Sequence, residues 1–125
     1  MSKAVEYHKA GYNCAESVIK AFNDERNTNI PVSLASPFGG GMGVGANCGA
    51  ITGMIMAVGA VTGRADATEP NKAKEYARIL MQIIKEKYGT YDCRELKQKG
   101  VSCDEIIAYT FALLQEKLPQ LEADS

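Results

Sequence analysis

Residues 38–54 read FGGGMGVGANCGAITGM, with seven glycines in seventeen positions, one cysteine and no charge. The fold turns on whether this stretch is the phosphate-binding turn of an α/β protein or a loop entering a helix. Gly41-Met42-Gly43-Val44-Gly45-Ala46 fits the formal pattern G-x-G-x-x-G/A. A dinucleotide-binding turn needs a strand before those glycines and a βαβ unit around them. Residues 33–37, SLASP, have no strand character, and no Lys-Ser/Thr pair follows the glycines, which excludes a P-loop. The stretch therefore predicts a turn and a helix start. A second pattern lies within it: Gly45, Gly49, Gly53 and Ala57 recur every four residues. On a helix these positions form one ridge without side chains, over which another backbone can pack closely. Each glycine weakens a helix by about 1 kcal/mol relative to alanine, so the ridge predicts an internal packing seam in preference to a dimer contact.

Outward from this stretch, the pattern is helical throughout. Val5–Ala10 reads as a short helix stopped by Gly11. Cys14, Val18 and Phe22 form an apolar stripe at helical spacing. Val32–Ser36 reads as one further turn, and the next helix runs from near Cys48 to near Gly59 or Gly63. A fourth helix is expected from about Pro70 to Tyr88, with Ala73, Ala77, Leu80 and Ile84 inward and Gly89 as its stop. Cys93–Lys99 reads as a short basic helix. Cys103–Leu118 reads as the last, with Ile107, Phe111, Leu114 and Leu118 inward. Strand signals are weak everywhere, so the expected fold is all-α: one domain, residues 1–125, a bundle of five to six helices.

Composition narrows the function. A length of 125 residues is enough for a core, and a net charge of −1 gives no field for nucleic acid. The N-terminus MSKAVEYHKAG lacks the apolar run of a signal peptide, which predicts a cytoplasmic protein. Residues 39–63 are uncharged and long enough to cross a bilayer, but nine are glycine and the strongly apolar part is only Ala50–Val61. That suits a buried helix, so no membrane span is expected.

The four cysteines, Cys14, Cys48, Cys93 and Cys103, carry the chemistry. The residues before them, Asn13, Asn47, Asp92 and Ser102, are all helix N-cap types. Glu16, Glu95 and Glu105 stand at capping-box spacing, and Asn47 has Ala50 there instead. Each cysteine is thus expected at the first position of its own helix, where the positive end of the helix favours a thiolate. The alternative is that all four are small buried hydrophobes. The spacings of 33, 44 and 9 intervening residues contain no C-x-x-C, so the fold has to make any pairing. His8, the only histidine, reads as a surface residue; Arg94, Lys97 and Lys99 read as a solvated face; Tyr12 and Tyr91 read as packing.

Gly11-Tyr12-Asn13-Cys14-Ala15, then Phe38-Gly39-Gly40-Gly41-Met42-Gly43, then Cys48-Gly49-Ala50-Ile51-Thr52-Gly53, then two later cysteines, resemble the C-GCAxxG-C-C family. The central motif here reads Cys-Gly-Ala-x-x-Gly, preceded by Asn47. The resemblance spans nearly the whole chain. It implies a small prokaryotic redox-active protein with its chemistry at Cys14, Cys48, Cys93 and Cys103, and it supplies no substrate. Three readings follow. Electrons pass through thiol/disulfide chemistry with a redox partner protein; or the same four cysteines hold zinc or an iron–sulfur cluster; or the chain is a structural helical module with packed cysteines. A homo-oligomer is compatible with all three.

Overall fold

The computed structural model describes residues 2–124 and is helical from end to end. Six α-helices form: α1 Lys3–Lys9, α2 Cys14–Arg26, α3 Gly49–Thr62, α4 Lys72–Tyr88, α5 Cys93–Gln98 and α6 Cys103–Ala123. A 3₁₀ helix, Val32–Phe38, lies between α2 and α3. Among the described residues there is no strand, only an isolated antiparallel bridge between Asn47 and Asp92. No described helix is long and apolar enough to cross a membrane.

Local chemistry sets most of the ends. Asn27, in the left-handed conformation, closes α2, and Gly89 (φ 77°) closes α4. Asn71 caps α4 by accepting from the Lys74 amide, so the helix starts two residues beyond Pro70. α6 does not stop at Leu118 but continues through Pro119 to Ala123. The Arg26 guanidinium binds Glu122 there, tying the last turn of α6 to the end of α2.

The direction of the helices matters more than their number. A Cβ on Gly49 would meet Cys14 and Ala15, and one on Gly53 would meet Ala15 and Val18. Residue numbers rise together along the contact, so α2 and α3 run parallel. α6 runs parallel to α2 as well: Cys14 senses the charge of Cys103 at one end, and Arg26 meets Glu122 at the other. α1 is antiparallel to α2, with Tyr7 and Lys3 on Asp24. α4 returns antiparallel between α3 and α6, ending where the Tyr88 hydroxyl donates to Glu105 at 3.3 Å. The core between them holds Val18, Ile19, Phe22, Ile51, Met54, Leu80, Ile84, Ile107, Leu114 and Leu118. The inward residues expected on α6 are all buried. On α4, Leu80 and Ile84 are buried, whereas Ala73 and Ala77 are only half-buried.

The seam expected in α3 is real but shorter than its pattern. Gly49, Gly53 and Ala57 are buried within α3. Gly45 lies outside the helix, at φ 74°, against the Arg94 guanidinium. Residues 40–43 wind left-handed, with Gly40, Gly41 and Gly43 at φ 65°, 65° and 74° and Met42 at φ 59°. For an L-residue such as Met42 this conformation costs about 1–2 kcal/mol.

Two predictions test the packing. On Gly53 the would-be Cβ lies 3.0 Å from the Ala15 carbonyl oxygen, whereas on Gly59 it meets nothing within 4 Å. Gly53→Leu should lower unfolding stability by about 3 kcal/mol through overpacking, and Gly59→Ala should raise it by about 0.5–1 kcal/mol through helix propensity. Urea titration reads both, and an unchanged midpoint for Gly53→Leu would place that seam in solvent. The second concerns Tyr76, whose buried hydroxyl has no hydrogen-bond partner. Tyr76→Phe should leave stability unchanged or raise it by about 1 kcal/mol; a clear loss on calorimetry would reveal a partner.

Candidate functional site

The four cysteines meet at one end of the bundle because three parallel helices begin there. Cys14 and Cys103 are the first residues of α2 and α6, and Cys93 opens α5. Cys48 differs from expectation: it is itself the N-cap of α3, with φ −55° and ψ 134°. Asn47 is drawn away from a capping role by its bridge to Asp92.

The other expected caps divide. Asn13 forms a full capping box: its side chain accepts from the Glu16 amide at 2.9 Å, and the Glu16 carboxylate accepts from the Asn13 amide at 2.9 Å. Glu16 also accepts from the Ser36 hydroxyl at 2.6 Å, tying the 3₁₀ helix to the start of α2. Ser102 accepts from the Glu105 amide at 3.1 Å. Asp92 makes no side-chain cap. Glu95 accepts from the Thr90 hydroxyl at 3.1 Å instead of reaching back to Asp92.

The bridge fixes Cys48 against Cys93. The Cys48 amide donates to the Tyr91 carbonyl at 2.8 Å, and the Cys93 amide donates to the Ala46 carbonyl at 2.7 Å. Asn47 and Asp92 oppose each other, so the pleat sends Cys48 and Cys93 to the same side as a diagonal pair. Diagonal neighbours sit about 7–8 Å apart, at the edge of what a disulfide spans. Cys14 is coupled most strongly to Cys103, whose charge raises its thiol more than that of Cys48 or Cys93 does.

All four thiols are free. Cys14 and Cys48 are buried, at 8% and 4% exposure, while Cys93 and Cys103 are half-buried. Burial dominates the acidity of the two interior thiols. It pushes the Cys14 thiol up to about 12, helped by the charges of Cys103, Cys48 and Cys93. Burial also raises Cys48, against the pull of the Ala50 and Ile51 amides, which favour its thiolate. The lowered thiol pKa expected at every helix start is therefore overturned for these two: desolvation exceeds the helix-end field.

The sulfurs sense one another electrostatically. Among the described residues no group of three or more Cys, His, Asp or Glu side chains takes an arrangement that holds a metal ion. Thiolates are the right donors for zinc or an iron–sulfur cluster, but no three of these side chains are arranged to hold a single zinc ion.

Several neighbours were not legible from the sequence. His8 is not a free surface group: its Nδ1 lies 2.9 Å from Asp104, next to Cys103. It pins the end of α1 to the start of α6, across 96 positions of chain. Tyr88 stands behind Cys48, its phenol raised by burial and then by the Glu105 carboxylate. Arg94 donates to the Val44 carbonyl at 3.3 Å, and Lys99 donates to the Tyr88 carbonyl at 3.0 Å, so two of the three basic residues in and just after α5 hold backbone. The Tyr12 ring packs edge-on against Tyr7 at 5.9 Å, and the Tyr91 ring lies under Lys85, as packing roles require.

Fold and site together define an all-α bundle with four cysteines gathered at the shared start of its helices. The chain matches, over residues 12–117, the family described as "Putative redox-active protein (C_GCAxxG_C_C)". It belongs to that family. No curated protein and no solved structure matches it.

Thiol reactivity should follow burial. Iodoacetamide near neutral pH should label Cys93 and Cys103 before Cys48 and Cys14. Labelling follows the thiolate fraction, so the Cys14 rate should keep climbing as pH rises towards about 12. Peptide mapping across a pH series reads this, and a Cys14 rate equal to that of Cys93 at pH 8 would contradict it.

Proposed function

We propose that this protein is a dithiol–disulfide redox protein whose working couple is Cys14 and Cys103. The observation that carries the reading is that Cys14 and Cys103 open the parallel helices α2 and α6, and that Cys14 feels the charge of Cys103 more than that of either other cysteine, with Cys103 half exposed and Cys14 buried. Cys103 meets the substrate. Its thiolate attacks a substrate disulfide, forming a mixed disulfide and releasing one substrate thiolate. Cys14 then loses its proton and attacks the Cys103 sulfur. The Cys14–Cys103 disulfide forms and the second substrate thiolate leaves. Two electrons pass from the protein to the substrate, and the protons of Cys14 and Cys103 end on the two released thiols.

The electrostatics support this order. Cys14 is held protonated by burial and next by the charge on Cys103. Once Cys103 is bound in a mixed disulfide it carries no charge, and that repulsion disappears. Cys14 becomes easier to ionise at the step that needs its thiolate. Cys48 and Cys93, diagonal across the bridge, serve as a second pair that exchanges with the first.

The test is a titration in glutathione redox buffers, followed by peptide mapping without reductant. The expected first product is a Cys14–Cys103 linkage with two thiols lost per protein. Cys14→Ser should accumulate a stable mixed disulfide on Cys103. Initial oxidation to Cys48–Cys93, or stoichiometric zinc or iron in the purified protein, would overturn the reading.

A further inference from the structure

His8 is the only histidine in the chain, and the thiol chemistry above does not use it. Its Nδ1 lies 2.9 Å from a carboxylate oxygen of Asp104, the residue directly after Cys103. A carboxylate only accepts, so Nδ1 carries the proton of this bond. Hydrogen bonds to a charged group are stronger than neutral ones, and the His8 side chain is only 28% exposed.

On its other side His8 is tied to Cys14. Five residues separate the two, and they form a turn closed by its own hydrogen bonds. The Gly11 amide donates to the His8 carbonyl at 3.1 Å, and the Tyr12 amide donates to the Tyr7 carbonyl at 3.2 Å. The Tyr12 ring meets Tyr7 edge-on, and Lys20 of α2 lies over both rings, at 4.9 and 5.0 Å. The Ser17 hydroxyl donates to the Asn13 carbonyl at 2.7 Å, fastening the turn to the start of α2. A path of ordered groups therefore runs from Cys14 back through the turn to His8, across to Asp104 and on to Cys103. Among the described residues no other ion pair joins the first turn of α6 to α1 or α2. The Arg26–Glu122 pair ties α2 to α6 only at their far ends.

We infer that His8 is a positioning residue for the Cys14–Cys103 couple: through Asp104 it holds Cys103 where Cys14 can attack it. The chemistry rests on the dithiol reading. In its resolving step the Cys14 thiolate bonds to the Cys103 sulfur, the bond from that sulfur to the substrate breaks, and the substrate leaves as a thiolate. Such a step gains its speed from reacting atoms held close and in line. His8 acts here by holding Asp104 and exchanges no proton.

Two measurements test this. Dibromobimane, which fluoresces strongly once it bridges two nearby thiols, reports on their separation in the reduced protein without any redox step, and peptide mapping assigns the bridged pair. Glutathione buffers give the equilibrium constant of the Cys14–Cys103 disulfide. Wild-type protein should bridge Cys14 to Cys103. His8→Ala and Asp104→Ala should each lower the bridging yield and lower the equilibrium constant about tenfold, and the double variant should be no worse than either single one. His8→Gln, which keeps a donor for Asp104, should recover most of both values. Arg26→Gln should lower the urea midpoint and keep both, which separates placement of the thiols from stability. Wild-type values in His8→Ala would overturn the inference, as would additive losses in the double variant, no recovery in His8→Gln or an equal loss in Arg26→Gln. Bridging that depends on His8 in a protein that forms no Cys14–Cys103 disulfide at any glutathione ratio would keep the positioning role and reject the dithiol chemistry. Disulfide formation indifferent to His8 would do the reverse.

Discussion

Everything at the cysteine end depends on how closely α3 approaches α2. Gly49 lies against the Phe38 carbonyl, the Cys14 Cβ and the Ala15 amide, and Gly53 lies against the Ala15 backbone. No side chain separates the two helices at these points. The approach sets the height of Cys48 beside Cys14 and leaves both thiols in the desolvated seam. A larger residue at either glycine would part the helices and change the spacing of the thiols along with the packing. Fold stability and site geometry are here one constraint.

The second organising feature is the parallel course of α2, α3 and α6. Parallel neighbours cannot be joined by short turns, and the chain meets this with two return paths. One is the 3₁₀ helix and glycine loop between α2 and α3; the other is α4 with α5 between α3 and α6. The result gathers three helix starts in one place, where unpaired amides and aligned dipoles favour negative charge. Burial opposes that field. For Cys14 and Cys48 burial is the larger effect and the thiols stay protonated. The reduced site thus holds two protonated thiols in the interior behind two that face solvent.

The return paths also form part of the site. The loop after the 3₁₀ helix ends in the Asn47–Asp92 bridge, which couples the start of α3 to the start of α5. Asn13 ties the same region from the other side, donating from its side-chain amide to the Ser36 carbonyl at 3.0 Å while it caps α2. One asparagine therefore ends a helix and anchors a loop, which accounts for the tight fit of Gly39 against its side chain.

The sequence by itself determined the fold class and the helix positions, and it singled out the four cysteines as candidates. Those follow from local physics: apolar spacing on Val18, Phe22, Leu80, Ile84, Ile107 and Leu114, cap chemistry at Asn13 and Ser102, and left-handed stops at Gly89. Local rules failed where a long-range partner competed for the same group. Asn47 left its cap for Asp92, and Glu95 left the capping box for Thr90. Gly45 left the helical ridge to lie beside Arg94, and His8 found Asp104 from the far end of the chain. Only the tertiary structure decided which cysteines are coupled and how acidic Cys14 and Cys48 are. The coupling of residues 14 and 103 depends on helix direction, and desolvation depends on what packs above each thiol; neither is a property of the residues adjacent in sequence.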